Sequence, residues 1–288
     1  MSKLGTDPYK GVQDFYPEDM AVQNYIFNTW RKTVESKGYL EYSASILEPA
    51  ELYKSKTSEE IVNEQTFTFV DRGGREVVLR PEMTPTLARM VAARRKSLKF
   101  PLRWYSIPNV FRYERPQRGR RREHWQLNCD LMGIAGVEAE VEIILLAHTI
   151  MKAFGAKDED FDIRINSRKA LPEGASMETV RKIDKGEETN IEIKETDEIR
   201  VLLEKLEEAG IKNAKFDPKI VRGFDYYTGM VFEVFDTHQD NNRSLFGGGR
   251  YDNLLEVFGV DPVPTVGFGM GDITLRDFLE THGLPTHA

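Results

Sequence analysis

The chain has 288 residues, 40% of them hydrophobic and 30% charged, with a formal net charge of −7; this fits a globular protein with a sizeable core and excludes polyanion binding over the whole surface. The N-terminus MSKLGTDPYKG lacks the apolar run of a signal peptide and no segment approaches the length of a membrane helix, so a cytoplasmic location with no membrane attachment is expected. A single cysteine, Cys129, excludes an intramolecular disulfide and agrees with a reducing compartment.

From Pro17 to Lys37 the spacing predicts a helix, with Pro17 in its first turn, Gly38 as its stop, and Val22, Ile26, Phe27, Trp30 and Val34 as its apolar stripe. YLEYSASILEP reads as a strand ending at Pro49, and TFTFVDRGGREVVLRPE as a hairpin turning at Asp71 to Gly74. Thr84 can cap a helix that has Pro85 in its first turn and continues through LARMVAARRK. A cap needs only the hydroxyl and one backbone N–H, so a structural and a ligand role for Thr84 stand side by side. Glu82 has no such local explanation.

NVFRYERPQRGRRREHWQLNCDLMG, Asn109 to Gly133, reads as two strands around a basic loop, because apolar and polar residues alternate on both sides of PQRGRRR. Arg112 and Glu114 share one face of the first strand. On the second, Trp125, Leu127, Cys129 and Leu131 form the apolar face, and His124, Gln126, Asn128 and Asp130 the polar one. A polar wall tipped by Arg115, Arg118, Arg120, Arg121 and Arg122 suits an anionic substrate beside a small polar one. The plainer reading is a solvated turn. Against it stands the cost of burying so many polar side chains on neighbouring strands without a ligand or partner. Acidic residues crowd a different region, Lys157 to Gly210, so a basic site would be local on an acidic body.

VEAEVEIILLAHTIMKAFG predicts an apolar helix whose His148 is packed or faces a partner, since no other His or Cys has metal-ligand spacing with it; no metal ligands are assigned. FDIRIN is a strand. Residues 167–219 are charged and poor in aromatics, with one helix at EIRVLLEKLEEAG, and read as a short surface insertion between catalytic segments 1–166 and 220–288. Strand character returns with KIVRGFDYYTGMVFEVFD. In LFGGGRYDNLLEVFG, Gly247, Gly248 and Gly249, with Arg250 after them, permit close backbone approach to a ligand before a helix. This run has neither the GxGxxG of a dinucleotide fold nor the GK[ST] of a P-loop. The last segment is a glycine-punctuated strand and a helix, capped by Asp272 and stopped by Gly283. Strands joined mostly by hairpins, with helices between groups of them, predict an α+β fold with a mainly antiparallel β-sheet flanked by helices.

Several of these stretches together resemble the class II aminoacyl-tRNA synthetases, and within them the histidyl-tRNA synthetase family. VRGFDYYTG (Val221 to Gly229) and GGGRYD (Gly247 to Asp252) are similar to two signature motifs of that family, FRYERPQRGRRREHWQLNCD to class II motif 2, LRPEMT to the strand that holds the amino acid, and Gly38 to Pro49 to motif 1 of the dimer interface. The resemblance implies ATP-dependent activation of L-histidine and its transfer to the acceptor end of tRNA(His), with Mg2+ accompanying ATP, in a homodimer. It implies that Arg112 holds the α-phosphate, Glu114 the adenine and Arg120 the terminal phosphates. Glu82, Thr84 and Gln126 would take the α-amino group, and Asp130 and Tyr227 the two imidazole nitrogens, while Tyr226 packs in the core. Arg222 would bridge the carboxylate and α-phosphate. Arg118, Arg121 and Arg122 are either solvated or meet the tRNA.

Two departures stand out. Motif 3 of the family usually ends in a Glu-Arg pair, whereas Asp272, Ile273 and Thr274 follow Gly271 here, and Arg276 lies two residues on, turned about 200° from position 274. A chain ending at Ala288 predicts a catalytic core without the family's anticodon-binding domain, and hence weak tRNA charging. That shortness also fits a rival, the synthetase-like regulatory subunit of ATP phosphoribosyltransferase; a degenerate sensor domain is a third reading. The rival group tends to have lost parts of the histidine-specific motifs, which are present here.

Overall fold

The computed structural model describes residues 4–54, 65–171, 182, 193–220, 226–241 and 243–287. Helix α1 (Pro17–Ser36) leads to β1 (Leu40–Glu41), β2 (Leu47–Pro49) and the short α2 (Glu51–Lys54). Strands β3 (Phe67–Val70) and β4 (Glu76–Leu79) precede α3 (Thr84–Arg94), then β5 (Leu102–Ser106), β6 (Asn109–Phe111), β7 (Glu123–Met132) and α4 (Glu138–Ala153). Strand β8 (Phe161–Ser167), α5 (Asp197–Glu208), β9 (Ala214–Phe216), β10 (Met230–Asp236), β11 (Ser244–Arg250), β12 (Thr265–Gly271) and α6 (Asp272–Thr281) complete the order.

Among the described residues, the main sheet runs β1-β5-β7-β12-β11-β10-β8-β9 with β6 paired to β7, and a second sheet runs β2-β4-β3. All pairings are antiparallel except β1 with β5 and β8 with β9 at the two edges. The fold is α+β, a large central sheet flanked by helices.

The alternation on β7 decides how the molecule is layered. Leu127, Cys129 and Leu131 are fully buried in one core with Ile26, Trp30 and Val34 of α1 and Ile143, Ala147 and Ile150 of α4. Each such aliphatic side chain contributes about 1.5–3 kcal/mol by leaving water. With that face committed to α1 and α4, the opposite face of β7 is left for polar side chains. A second cluster, including Leu87 and Val91 of α3, Tyr226, Tyr251 and Leu254, closes the sheet's other end. His148 is packed as expected, its ring 5.6 Å from that of Phe161 and its Nε2 3.2 Å from Asp158.

Four expectations change. The segment before Pro49 is two short strands in different sheets, β1 parallel to β5 and β2 paired with β4. Helix α3 is capped by Met83 without a side-chain bond, with Thr84 already inside it, and α6 likewise follows Gly271, so neither Thr84 nor Asp272 is the cap. Leu254–Phe258 forms a 3-10 turn, not an α-helix, closed by Gly259 at φ 69°. The stretch 167–219 is not wholly a surface appendage: α5 buries Ile199, Leu202 and Leu206 in the main core, and β9 extends the main sheet beside β8. Its amphipathic period was legible, but which surface its apolar face would meet was not.

Candidate active site

The polar face of β7 opens into two connected spaces. The inner recess is lined by Glu82, Thr84, Arg112, Gln126, Asn128, Asp130, Tyr226, Tyr227, Gly247, Tyr251 and the backbone around Gly267 and Gly269. The outer cleft is lined by Arg112, Glu114, Arg120, Arg121, His124, Gln126, Glu233 and Gly247, with Ile273 and Thr274 at its far side. Arg112, Gln126, Gly247 and Gly269 belong to both. A reaction between a molecule in the recess and one in the cleft would take place at that seam.

Local folding explains each position. β6 pairs with β7 at Asn109 with Trp125, Val110 with His124 and Phe111 with Glu123, which brings the two strands around the basic turn together. Arg112 and Glu114 lie beyond the end of β6, not on it as the sequence predicts. The Arg112 N–H donates to Arg122 O at 2.9 Å and the Glu114 N–H to Arg112 O at 2.7 Å, and this turn of the chain leaves both side chains lining the cleft with His124 and Gln126. Arg112 Nε donates to Pro81 O at 2.9 Å, which ties it to the segment carrying Glu82. Across the sheet, β12 sets Gly267 opposite Asp130, Gly269 opposite Asn128 and Gly271 opposite Gln126. A Cβ at Gly267 would strike Asp130 Oδ1, and one at Gly269 would strike Gln126 Nε2. Positions 267 and 269 of β12 are therefore glycines because the side chains of β7 occupy the space their own would need, whereas a Cβ at Gly271 would meet only Thr274 Oγ1 at 3.5 Å.

The recess is chemically asymmetric. Glu82 is 3% exposed and accepts from the Tyr226 hydroxyl at 3.1 Å, and Tyr53 donates to its backbone carbonyl at 3.1 Å. Asp130 is buried and accepts a hydrogen bond from the Tyr251 hydroxyl. Burial raises its carboxyl from 3.8 to about 7, the Tyr251 bond acting in the opposite sense. A carboxyl poised there can donate to or accept from an imidazole near neutrality. In the cleft, burial and then the Arg112 charge lower His124 to about 3, so its ring is neutral at physiological pH. Glu114 pairs with Arg120, Oε2 to Nη1 3.6 Å, while the Arg120 side chain remains 63% exposed.

The sequence-predicted residues Glu82, Thr84, Arg112, Gln126, Asp130, Tyr227 and Gly247 meet in the recess, and Arg112, Glu114 and Arg120 in the cleft. Arg222 lies outside the described residues. Gly248, Gly249 and Arg250 depart from the reading as a loop near a ligand, since Gly247–Arg250 is strand β11. A Cβ at Gly248 would collide with Gly267 O, so this glycine serves strand packing, while one at Gly249 would sit 2.6 Å from Met230 O and 2.9 Å from the Tyr227 ring, so Gly249 also makes room for a recess side chain. Arg250 is 4% exposed and forks onto Glu140, with Asp252 at 3.2 Å, away from both spaces. Arg122 is also neither solvated nor free: it stacks 3.8 Å over Tyr113 and bonds the Tyr9 hydroxyl at 3.0 Å.

Sequence reasoning missed Tyr226 and Tyr251 as recess residues, and His124, Arg121 and Glu233 as cleft residues. For His124 the signal was present, since it lay on the polar face. For Glu233 it was the alternation of MVFEVFD, where one acid interrupts a buried strand. Among the described residues no group of three or more His, Cys, Asp or Glu side chains is gathered to hold a metal ion. The carboxylates that line the cleft are Glu114, paired with Arg120, and Glu233; one or two carboxylates with substrate phosphates suffice for a magnesium ion carried by a nucleotide. No helix of the described residues is long and apolar enough to cross a membrane.

The chain matches a family model described as histidyl-tRNA synthetase over residues 11–167 and 166–272. A histidine-tRNA ligase of Leptospira biflexa is 42% identical over 98% of this chain and 76% of its own length. That of Thermoplasma volcanium is 38% identical over 96% and 75%. A solved structure from Bacillus halodurans, described as an ATP phosphoribosyltransferase regulatory subunit/histidyl-tRNA synthetase, superposes with a TM-score of 0.80 at 25% identity, covering 97% of this chain and 84% of that one. The apo histidyl-tRNA synthetase of S. aureus superposes with a TM-score of 0.74 at 25% identity, covering 99% and 72%.

Proposed function

Because the chain belongs to the histidyl-tRNA synthetase family of class II aminoacyl-tRNA synthetases, we propose that it activates L-histidine with ATP at the seam between recess and cleft, then transfers histidine to the acceptor end of tRNA(His). The observation that carries this reading is the sharing of Arg112 and Gln126 by the two spaces. In the first step a histidine carboxylate oxygen attacks the α-phosphorus of ATP; the bond to the bridging oxygen breaks and pyrophosphate leaves. In the second, the terminal ribose hydroxyl of the tRNA attacks the carbonyl carbon, its proton is removed and AMP departs.

The residues fit those roles by type. Glu82, Thr84 and Gln126 offer a carboxylate, a hydroxyl and an amide to the ammonium group, and Asp130 and Tyr227 a partner for each imidazole nitrogen. An amino acid without ring nitrogens would leave the buried Asp130 with the Tyr251 bond but no partner from the substrate, a mismatch worth ~10⁴–10⁵ in selectivity. Arg112, with Arg222 by family resemblance, faces the charge that develops at the α-phosphate; one such fixed donor contributes ~3–4 kcal/mol. Glu114 takes the adenine and Arg120 the terminal phosphates. Magnesium, held through Glu233, would neutralise phosphate charge.

A regulatory role beside an ATP phosphoribosyltransferase is a second reading, favoured by the description of the B. halodurans structure. The polar set in the recess supports the enzyme. We infer a cytoplasmic homodimer as well: β1 is an exposed sheet edge with Leu40 67% exposed, and Phe69 and Val70 of the second sheet are 47% and 67% exposed. Light scattering that gives a monomer would reject the dimer. The decisive assay is ATP–pyrophosphate exchange run with each amino acid in turn. Exchange with histidine alone supports activation, and no exchange from folded protein transfers the reading to the regulatory role.

A further inference from the structure

Where the family's motif 3 places an arginine, this chain has Thr274, and nothing on α6 supplies a cation to the cleft. The Thr274 hydroxyl donates to Leu245 O at 2.7 Å. Arg276 turns away, its Nε on Glu280 at 2.8 Å and its Nη1 3.6 Å from Asp19. Among the described residues, the cations at the outer part of the cleft therefore come from the segment between β6 and β7, Arg120 and Arg121 beside Arg112, and a turn is a poorly fixed platform unless something holds it.

Arg243, at the mouth of β11, holds it. Its Nη1 donates to Arg118 O at 2.7 Å. Its own backbone is anchored, with its carbonyl accepting from Asp236 N at 3.3 Å and its N–H donating to Asn241 O at 2.7 Å. The next residue of the turn, Gly119, has φ +75°, lines the cleft and lies directly against Arg243, whose Nη1 a Cβ at 119 would meet. Asp277, on the same helix as Thr274, adds the opposite charge. Its Oδ2 lies 3.9 Å from Arg118 Nε and, although buried, accepts no hydrogen bond among the described residues. Burial raises its carboxyl, and the Arg118, Arg243 and Arg121 guanidiniums around it act in the opposite direction.

We propose that Arg243 is a positioning residue for ATP: with Asp277 it latches the basic turn so that Arg120 and Arg121 stand over the phosphate end of the cleft, replacing the direct contact that Thr274 no longer provides. This rests on reading the outer cleft as the ATP site. The latch acts through the turn, so its loss weakens ATP binding and leaves the histidine recess untouched.

The test combines two measurements on Arg243→Ala and Asp277→Asn in the full chain. One is the rate of trypsin cleavage after Arg118, Arg120 and Arg121 in substrate-free protein; the other is the KM for ATP and for histidine in pyrophosphate exchange. Loss of one charge-assisted bond predicts about a tenfold rise in KM for ATP, with KM for histidine unchanged, and cleavage of the turn accelerated by a similar factor. Melting temperatures equal to that of the parent separate the latch from a global effect. Unchanged cleavage together with an unchanged KM for ATP overturns the proposal. A parent protein that shows no exchange with any amino acid rejects the activation reading instead, and the cleavage rates still decide whether Arg243 holds the turn.

Discussion

Gly267 on β12 stands directly opposite Asp130 on β7, and the space that a side chain at 267 would fill is occupied by the Asp130 carboxylate. The two residues define the floor of the recess together. One supplies the chemistry and the other supplies the room for it, which explains why β12 reads TVGFGMG with Val266, Phe268 and Met270 buried and glycines between them.

Gly267→Ala is therefore expected to damage the recess more than the cleft. The added methyl must displace Asp130 or the Cys129 carbonyl, which would lie only 2.8 Å from it. Overpacking of this kind costs about 1–3 kcal/mol. We expect KM for histidine to rise at least about tenfold, by the conversion of 1.4 kcal/mol per decade, with KM for ATP changed much less. Steady-state kinetics with each substrate varied checks it; equal changes in both constants would contradict the assignment of the floor to histidine.

Stability in the absence of histidine should fall as pH rises, because of Asp130. Its carboxyl is near 3.8 in the unfolded chain and about 7 in the folded one. Below pH 3.8 both states are protonated and nothing is lost. Between 3.8 and 7 the folded state binds more protons than the unfolded state, so stability drops with increasing pH, and above 7 the loss is complete. At 1.36 kcal/mol per unit the total is on the order of 4 kcal/mol. Asp130→Asn keeps the shape and removes the titration, so its stability relative to the parent should improve across that window. Urea unfolding at pH 5 and pH 8 measures it, and a pH-independent difference would rule it out.

The ion pair of Arg250 with Glu140 is a test of structural against binding roles. Both partners are buried, at 4% and 3% exposure. Removing one charge from such a pair leaves the other uncompensated and costs ~3–5 kcal/mol. Arg250→Met should therefore lower the urea midpoint strongly, whereas adding Glu140→Leu to it should restore most of the loss. If the single variant folded normally and lost only substrate affinity, the placement of Arg250 outside the site would be wrong.

How much of this was legible in the sequence differs from residue to residue. The polar face of β7 was, because strand alternation sets Gln126, Asn128 and Asp130 apart from Leu127, Cys129 and Leu131 without reference to the rest of the chain. The roles within GGGRY were not. Arg250 pairs with Glu140, which is 110 positions away, while Tyr251 beside it reaches Asp130, which is 121 away. Adjacent residues on a strand face opposite sides, and only the sheet order tells which side is core and which is site. For the same reason the Arg243 contact to Arg118 carries no local signature. Gln23 was hidden by its neighbours: it lies beside the apolar stripe of α1, yet it is buried because it donates to Asp272 Oδ2 at 2.7 Å.

Tyr251→Phe isolates the hydroxyl that Asp130 receives. That bond stabilises the ionised carboxylate and so opposes the upward pull of burial. Without it the carboxyl rises above about 7, and the pH at which Asp130 becomes charged moves upward. Histidine affinity that depends on an ionised Asp130 should then show its pH midpoint displaced to higher pH in Tyr251→Phe and no such midpoint in Asp130→Asn. At pH 7 the phenylalanine variant should bind histidine more weakly, and by pH 9 it should approach the parent, because only the protonation equilibrium has changed and the ring still fills its place in the second core cluster. Calorimetric titration of histidine at pH 6, 7, 8 and 9 reads both effects. A loss of the same size at every pH would mean that Tyr251 touches the amino acid itself and acts independently of the Asp130 charge.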